Sequence, residues 1–383
     1  MTAVQESIGS ALALIAFVAA GFTMAASLQL ARVSKSRSKA RPRRAVPVTL
    51  LKPLYLGEPG LEENLRSFFQ QDYDAPIQIV FGVTSHNDSA LEVVESLRRD
   101  FPEVAIGVVA EPVLAAANPK MANLINMVAH AKHELLIMSD SDIRVPADYV
   151  RRIVHAMEEP GVGAVSLLYS GTPVGNLWSK LAAMNIDCHF LPNARLGIAL
   201  GLARPCFGST IAFRRQTLAE IGGFERLSNV LADDYELGRA IRRRGYQISI
   251  PDSIVVEHVC SQASASQLLR QELRWAKTNF ILARMGHAGS LVTYPLPLAL
   301  FAMLFLGFTT ASVAALCAAL ASRLFLVFNS QRRLGHGKGY YVWLLPLRDA
   351  LSFFVYLASF FGRTVEWRGR RFETRADGAL API

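Results

Sequence analysis

The chain has 383 residues, of which 51% are hydrophobic and 19% charged, and 40 basic side chains against 31 acidic ones give a net charge of +9. Soluble domains carry about 25% charged residues, so the composition argues against an ordinary soluble protein and against a disordered or fibrous chain. A chain both oily and basic suits a membrane protein or a nucleic-acid binder, and the location of the charge decides between them.

The first segment, Ile8 to Leu30, runs 23 residues without a charge, about 34 Å as a helix, enough for a hydrocarbon core of about 30 Å. Glu6 precedes it and no Lys or Arg does, unlike the start of a signal peptide. Residues 32–44 then hold seven basic residues and no acid. Because Lys and Arg flank membrane segments on the cytoplasmic side, residues 32 onward are expected in the cytoplasm.

Between 46 and 286 the pattern alternates. Strands are expected at Val46–Leu51, Ile77–Val83, Val104–Val109 and Leu135–Met138. Helical spacing covers Leu61–Gln70, Ala90–Asp100, Met121–Lys132, Pro146–Met157, Tyr235–Arg244 and Ser264–Met285. Such alternation implies an α/β fold with a largely parallel sheet covered on both faces. Ligands then bind at the carboxyl ends of strands.

Two oily regions follow. Ala288 to Ser322 is 35 uncharged residues, and Gly339 to Gly362 is interrupted only by Arg348 and Asp349. That adjacent pair suggests a sheltered charge couple at depth. Two to four C-terminal segments fit, one of them re-entrant or interfacial. The windows 32–44 and 363–375 carry +7 and +3, which leaves −1 for the remainder. The basicity flanks membrane segments, so nucleic acid is not an expected partner. The four cysteines form no CxxC and suit free thiols in a reducing compartment.

The chain contains neither G-x-G-x-x-G nor G-x-x-x-x-G-K-[ST], which disfavours nicotinamide dehydrogenases and P-loop NTPases. Acids follow the strands instead. Asp88 comes after Ile77–Val83, and Asp140-Ser141-Asp142 comes after Leu135–Met138. Two carboxylates one residue apart can hold a hard divalent cation together with diphosphate oxygens. They also suit a helix N-cap, and alone they leave the two open. Asp233-Asp234 opens another helix with the same ambiguity. In Gln271-Glu272-Leu273-Arg274-Trp275, residues 271, 274 and 275 share a helical face. That face offers a guanidinium fork for phosphate and an indole for stacking. A snorkelling Arg and headgroup-level Trp on an interfacial helix would look alike.

Asp88, Asp140-x-Asp142, Asp234 and Gln271-x-x-Arg274-Trp275 together resemble the D, DxD, D, (Q/R)xxRW series of family 2/21 inverting glycosyltransferases. Within that group the chain is most similar to the ceramide glucosyltransferase-like members. Leu50-Leu51-Lys52-Pro53-Leu54, Asn118-Pro119-Lys120 with Asn123-Leu124, Ala232-Asp233-Asp234-Tyr235 and Trp367-Arg368-Gly369-Arg370 carry the likeness along most of the chain. Residues 61–67 and 139–146 resemble the bacterial branch associated with hopanoid synthesis. The third motif often reads Glu-Asp in the family and reads Asp-Asp here.

The resemblance implies a GT-A fold over 46–286. The remaining segments are an anchor at 1–31, a basic arm at 32–45, membrane segments at 287–362 and a basic tail at 363–383. It implies a UDP-sugar donor, a lipid acceptor and a Mg²⁺ or Mn²⁺ cofactor on Asp140 and Asp142. Asp234 would be the catalytic base. Lys52, Asp88, Lys120, Asp140, Gln271, Arg274 and Trp275 would bind donor, and His189 and Cys206 would lie near the acceptor. An integral protein of a bacterial inner membrane follows, with sugar transfer to a lipid hydroxyl. N-acetylglucosamine to a hopanoid polyol is the favoured pairing, and glucose to ceramide the other. A processive synthase would need more membrane helices, and a non-catalytic sugar-lipid binder would not need Asp234 and the DxD together.

Overall fold

The computed structural model describes residues 2–33, 41–86, 88–110, 117–334, 342–362, 364–367, 370–374 and 380–382. The chain divides into two units. A sheet unit comprises Lys35–Val174, Pro205–Ser261 and Phe372–Ile383. A helical unit comprises Met1–Ser34, Gly175–Arg204 and Gln262–Arg371. The expected continuous block at 46–286 is therefore interrupted, because 175–204 and 262–286 fall in the unit of the oily helices. The tail residues Arg368 and Gly369, the arm at 34–40 and Asn87 lie outside the described residues.

In the sheet unit, the strands are β1 (Val48–Pro53), β2 (Ile77–Val83), β3 (Ala105–Ala110), β4 (Leu135–Ser139), β5 (Ile143–Arg144), β6 (Val162–Ser166), β7 (Leu168–Pro173), β8 (Thr210–Arg214), β9 (Gln247–Ser249) and β10 (Val255–Cys260). The main sheet has the order β3-β2-β1-β4-β8-β6-β9. β1, β2, β3 and β4 run parallel. β8 runs antiparallel to both β4 and β6. The sheet is thus mixed, and the expectation of a largely parallel sheet holds for its first half. A second, three-stranded sheet has the order β5-β10-β7.

Alternation along β1 feeds two cores. Leu50 pairs in register with Ile79 and Ile137 and packs with Leu65, Phe68 and Tyr149 on one face. Leu51 packs with Val80, Met121, Leu136 and Met138 on the other. Every residue of β1 is buried, as a central strand covered on both faces requires. Helix Pro119–Val128 lies so close to β2 that a Cβ on Gly82 would fall 2.1 Å from Asn123 Oδ1. Asn123 Nδ2 donates to the Gly82 carbonyl at 2.8 Å. These contacts hold the helix, and the lysine at its start, against the strand ends.

The helical unit contains three helical stretches long and apolar enough to cross a membrane, Ala3–Arg32, Thr310–Leu334 and Val342–Ser359, among the described residues. A fourth stretch, Arg284–Thr293 with Pro295–Leu306, is bent by 73°. Helix Pro295–Leu306 has 12 residues, about 18 Å, and is too short to span alone. The 35-residue oily region is broken at Gly307, whose φ of +63° ends one helix before Thr310 begins the next. Helix Ala3–Gln29 meets its neighbours through Ala13, Ala16 and Ala19 against Ala299, Ala302, Ala315 and Ala319. Small residues let backbones approach closely where lipid gives no hydrophobic drive for association.

Arg348 and Asp349 do not pair with each other. Each is buried and reaches a different helix. Arg348 binds Glu272 through two bonds of 2.8 and 2.7 Å, and Asp349 binds Arg323 through two of 2.8 and 2.6 Å. Adjacent residues on a helix point about 100° apart, so each finds a partner in its own direction. Asp349→Asn leaves the Arg323 guanidinium buried without a counter-charge. The expected cost is about 3–5 kcal/mol, read as a lower melting temperature of the detergent-solubilised chain. Replacing both partners together, Arg323→Met with Asp349→Leu, should recover most of it, and an unchanged melting temperature for the single variant would refute the account.

Candidate active site

The acids expected at strand ends gather in the sheet unit. β4 ends at Ser139, the Asp140–Asp142 turn follows, and β5 begins at Ile143. No helix starts on this turn. The next one begins at Tyr149 with Asp148 before it, so the pair does not serve as a helix cap. The turn is held from several sides. The Asp140 carbonyl accepts from Lys52 Nζ at 2.5 Å, and the Ser141 hydroxyl donates to Glu58 at 2.7 Å. Asn64 Nδ2 reaches the Ser141 carbonyl at 3.4 Å, and the Asp142 carbonyl accepts from the Val259 amide at 2.8 Å.

Lys52 was expected to touch the donor. Its side chain is instead fully buried beneath the turn, over the Phe68 ring at 3.7 Å from the centroid. Burial lowers its pKa to about 7, against the opposing pull of Asp140, Asp142 and Glu58. Its place on a central strand buried on both faces makes it a support for the acidic turn.

Asp88 is also buried, and both its oxygens accept backbone amides, from Leu56 at 3.2 Å and Ala90 at 2.9 Å. Leu56 holds a φ of +59°, a left-handed conformation that a side chain adopts only under constraint. Asp88 thus pins the loop after β1 to the start of helix Ala90–Asp100.

Lys120 sits in the first turn of helix Pro119–Val128, which Asn118 caps through the amides of Lys120 and Met121. Its ammonium lies 2.6 Å from Asp140 Oδ1 and 3.8 Å from Asp233 Oδ2. Burial opposes its charge, but Asp140 and Asp233 outweigh that and hold the pKa above the ordinary lysine range.

Asp233 and Asp234 open helix Asp233–Arg243, and its cap residue is Ala232, with no side-chain cap bond. Neither Asp caps the helix. Asp234 Oδ2 accepts the Gly208 amide at 3.0 Å, and Oδ1 accepts its neighbour Tyr235 at 2.7 Å. Burial and the adjacent Asp233 push its carboxyl up to about 6, while Lys120 and the two amides pull the other way. Burial likewise raises Asp233, whose Oδ2 has no hydrogen-bond partner.

Two contributors escaped the sequence reading. Gly208 sits so close to Asp234 that a Cβ there would lie 3.2 Å from its Oδ2, and a single glycine ahead of a strand gives no signal of this. His258 comes from β10, which pairs antiparallel with β5 at Ile143. Its Nδ1 lies 3.5 Å from Asp142 Oδ2, while Asp142 Oδ1 is buried without a hydrogen-bond partner. Only that strand pairing brings residues 142 and 258 together. No group of three or more His, Cys, Asp or Glu able to hold a metal occurs among the described residues. Asp142 and His258 approach each other, and Asp140 on the same turn is paired with Lys120.

Cys206, expected near the acceptor, is 4% exposed and packs in the core beneath helix Asp233–Arg243, where Gly238 comes within 2.5 Å of it by its would-be Cβ. Burial raises its thiol pKa. Its sulfur is one of four free thiols in the chain.

The remaining expected site residues belong to the helical unit. Gln271, Arg274 and Trp275 lie on helix Ala265–Leu282, where Gln271 Oε1 accepts from Gln262 at 2.6 Å. His189 lies in the π-helical turn Ile186–Phe190, its ring 4.9 Å from Tyr294 and its Nε2 3.5 Å from the Thr293 hydroxyl.

The role assigned to Asp88 has a direct test. Asp88→Ala leaves the Leu56 and Ala90 amides without acceptors and should destabilise the chain by about 1–3 kcal/mol. Thermal unfolding would register this, and full retention of stability would show that the loop does not depend on the carboxylate.

The profile of glycosyl transferase family 21 matches residues 11–380. The chain is 24% identical over 365 residues to ceramide glucosyltransferase 3 of Caenorhabditis elegans, covering 88% of this chain and 74% of the relative. It is 26% identical over 252 residues to an N-acetylglucosaminyltransferase of Rhizobium meliloti (strain 1021), covering 63% and 57%. Among solved structures it resembles the mannosyltransferase PcManGT from Pyrobaculum calidifontis in complex with GDP-Man and Mn²⁺. The TM-score is 0.55 at 20% identity, over 93% of this chain and 99% of that one. The fold is accordingly GT-A-like, the apolar helices indicate membrane association, and the chain is a hexosyltransferase that belongs to glycosyl transferase family 21.

Proposed function

We propose that this protein transfers a sugar from a UDP-sugar to a lipid hydroxyl with inversion, and that Asp234 is its base. The observation that carries the reading is the Asp234 carboxylate, fixed by the Gly208 and Tyr235 amides. Two N–H bonds orient its oxygens and leave lone pairs free to take the proton of an attacking hydroxyl. One base and direct displacement invert the anomeric centre.

The resemblance assigns a divalent cation to Asp140 and Asp142, but no group of three or more His, Cys, Asp or Glu among the described residues could hold a metal ion, and Asp140 Oδ1 is paired with Lys120 at 2.6 Å. Lys120 adds a cation from the protein itself. The resemblance assigns Gln271, Arg274 and Trp275 to the donor and His189 to the acceptor. Asp88 is proposed to border the donor through the loop that it pins.

For the substrates, the bacterial-branch motifs at 61–67 and 139–146 and the similarity to a bacterial N-acetylglucosaminyltransferase support N-acetylglucosamine transfer to a hopanoid polyol such as bacteriohopanetetrol. Similarity to ceramide glucosyltransferase over 88% of the chain favours a second reading, glucose to ceramide. The basic run at 32–44 supports a cytoplasmic active site on a bacterial inner membrane.

A UDP-release assay on the detergent-purified protein separates the readings. It crosses UDP-glucose, UDP-galactose and UDP-N-acetylglucosamine with ceramide and bacteriohopanetetrol. Release from UDP-N-acetylglucosamine with the polyol alone is expected, and release with ceramide and UDP-glucose would move the assignment to the second reading. Asp234→Asn should keep UDP-sugar binding and lose turnover by at least about a hundredfold; unchanged turnover would remove Asp234 from the role. A base must be ionised to accept a proton, so kcat/KM should fall as pH drops through about 6, where burial and Asp233 place this carboxyl. A profile flat across that range would contradict the assignment.

A further inference from the structure

The stretch 176–204 was expected inside the catalytic block, yet it belongs to the helical unit. Its helices Leu177–Asn185 and Leu191–Ala199 are joined by the π-helical turn Ile186–Phe190. That turn is tied to helix Thr310–Leu334. The Cys188 carbonyl accepts from Arg323 at 2.7 Å, and the Asp187 carbonyl accepts from the Ser330 hydroxyl at 2.9 Å. Helix Leu191–Ala199 is tied to the end of helix Ala3–Gln29, where the Gln29 carbonyl accepts from Arg195 Nε at 3.2 Å. Asn329 and Ser27, 2.8 Å apart, join the ends of the same two long helices. Both finish in basic residues, Arg32 after one and Arg332 and Arg333 in the last turn of the other. Basic residues at the end of a membrane helix mark the level of the lipid headgroups.

Past Ala199 the chain turns without becoming polar. Leu196 to Ala203 is eight uncharged residues between Arg195 and Arg204. Leu200 and Leu202 stand 57% and 75% exposed. The turn that carries them is fixed. The Leu200 amide donates to the Leu196 carbonyl at 2.9 Å, and the Leu202 and Ala203 amides both donate to the Gly197 carbonyl, at 2.9 and 3.1 Å. Gly201 takes the left-handed φ of +69° that this closure needs. Turns that face water carry polar residues, whereas an ordered turn with two leucines directed outward suits apolar surroundings.

We propose that residues 199–203 are a further, non-spanning attachment to the bilayer, a tip whose leucines enter the lipid beside the basic ends of two membrane helices. The occupant is the bilayer that those helices would cross, because the tip hangs from an element hydrogen-bonded to both of their ends. Leu28, next to Gln29 in the chain, is likewise exposed at that end. The exposed Arg204 follows the tip and suits the phosphates of anionic lipid, with its stem along the apolar surface. Five residues cannot cross a bilayer, and a wedge of this kind reaches about 5–10 Å below the headgroup boundary. The inference rests on membrane association and is independent of the sugar-transfer reading.

The test is the depth of a nitroxide label in the full chain, reconstituted into vesicles of phosphatidylcholine and phosphatidylglycerol. Cys317, the exposed thiol among the four, is first removed by Cys317→Ser. Labels are then attached one at a time through Leu202→Cys, Val18→Cys on the first helix and Glu92→Cys on the sheet unit. Electron paramagnetic resonance compares collisions with oxygen, which concentrates in lipid, and with a nickel chelate, which stays in water. The label at 18 should lie deep and the label at 92 in water. The label at 202 should lie about 5–10 Å below the headgroups. Adding Leu200→Asp should move the label at 202 toward water, since a charge in lipid is costly. A label at 202 as open to the nickel chelate as the one at 92 overturns the proposal and leaves membrane association standing. A label at 202 shielded from both probes and broadened by a second label places another copy of the chain on the tip, which also overturns it. A label at 18 that lies in water overturns membrane association and this inference with it.

Discussion

Like charges gathered in a partly dehydrated space repel, and this chain brings Asp140, Asp142, Asp233 and Asp234 to one end of its main sheet. Two like unit charges 4 Å apart at an effective dielectric of about 20 repel by about 4 kcal/mol, which sets the scale of what close carboxylates cost. Two lysines make the cluster tenable. Lys52 rises from beneath the acidic turn and donates to the Asp140 carbonyl, while Lys120 stands between Asp140 and Asp233. Much of the fold follows from placing these two cations. β1 must sit beside β4 to bring Lys52 under the turn, and helix Pro119–Val128 must press on Gly82 to aim Lys120. A glycine is the residue that lets that helix approach so closely.

The helical unit obeys the same rule in a drier setting. Buried guanidinium groups there meet carboxylates through paired bonds. Glu272 has a further consequence, because it lies inside the stretch Gln271–Trp275. Its pair with Arg348 turns that side of helix Ala265–Leu282 inward. Arg274, two residues on, sits about 200° around the helix and so leaves the buried seam. The ion pair thereby sets which face of the helix carries the residues that resemble a phosphate-binding motif.

Local features were legible in the sequence and long-range ones were not. Ile77–Val83 and Ala90–Asp100 have the bounds that their apolar patterns predict, since period and propensity act within a few residues. The acidic turn at the end of β4 was legible for the same reason. The antiparallel β8 was not, because its insertion between β4 and β6 depends on pairings across many residues. Lys52 was assigned to the donor through the resemblance of residues 50–54 to a family strand, and its burial beneath the acidic turn depends on elements far along the chain that cover both faces of β1. Arg348 and Asp349 read as a couple because they are neighbours in sequence, whereas partners are chosen by direction. His258 and Gly208 carry no mark at all until β10 meets β5 and Gly208 meets Asp234.

The Asp234 carboxylate shows how the cluster's repulsion becomes useful. A carboxylate in water is a weak base, ionised at neutral pH but poor at holding a proton. Full burial would make it a stronger base and also leave it protonated and idle. Asp234 sits between these limits. Burial and Asp233 raise its proton affinity, while Lys120 and the Gly208 and Tyr235 amides lower it, and the balance falls near 6. A carboxyl held near 6 is mostly ionised at neutral pH, as the proposed role of base requires. The neighbours set this balance from opposite sides, so Asp233, Lys120 and Gly208 would share in the chemistry of Asp234 as the proposed base.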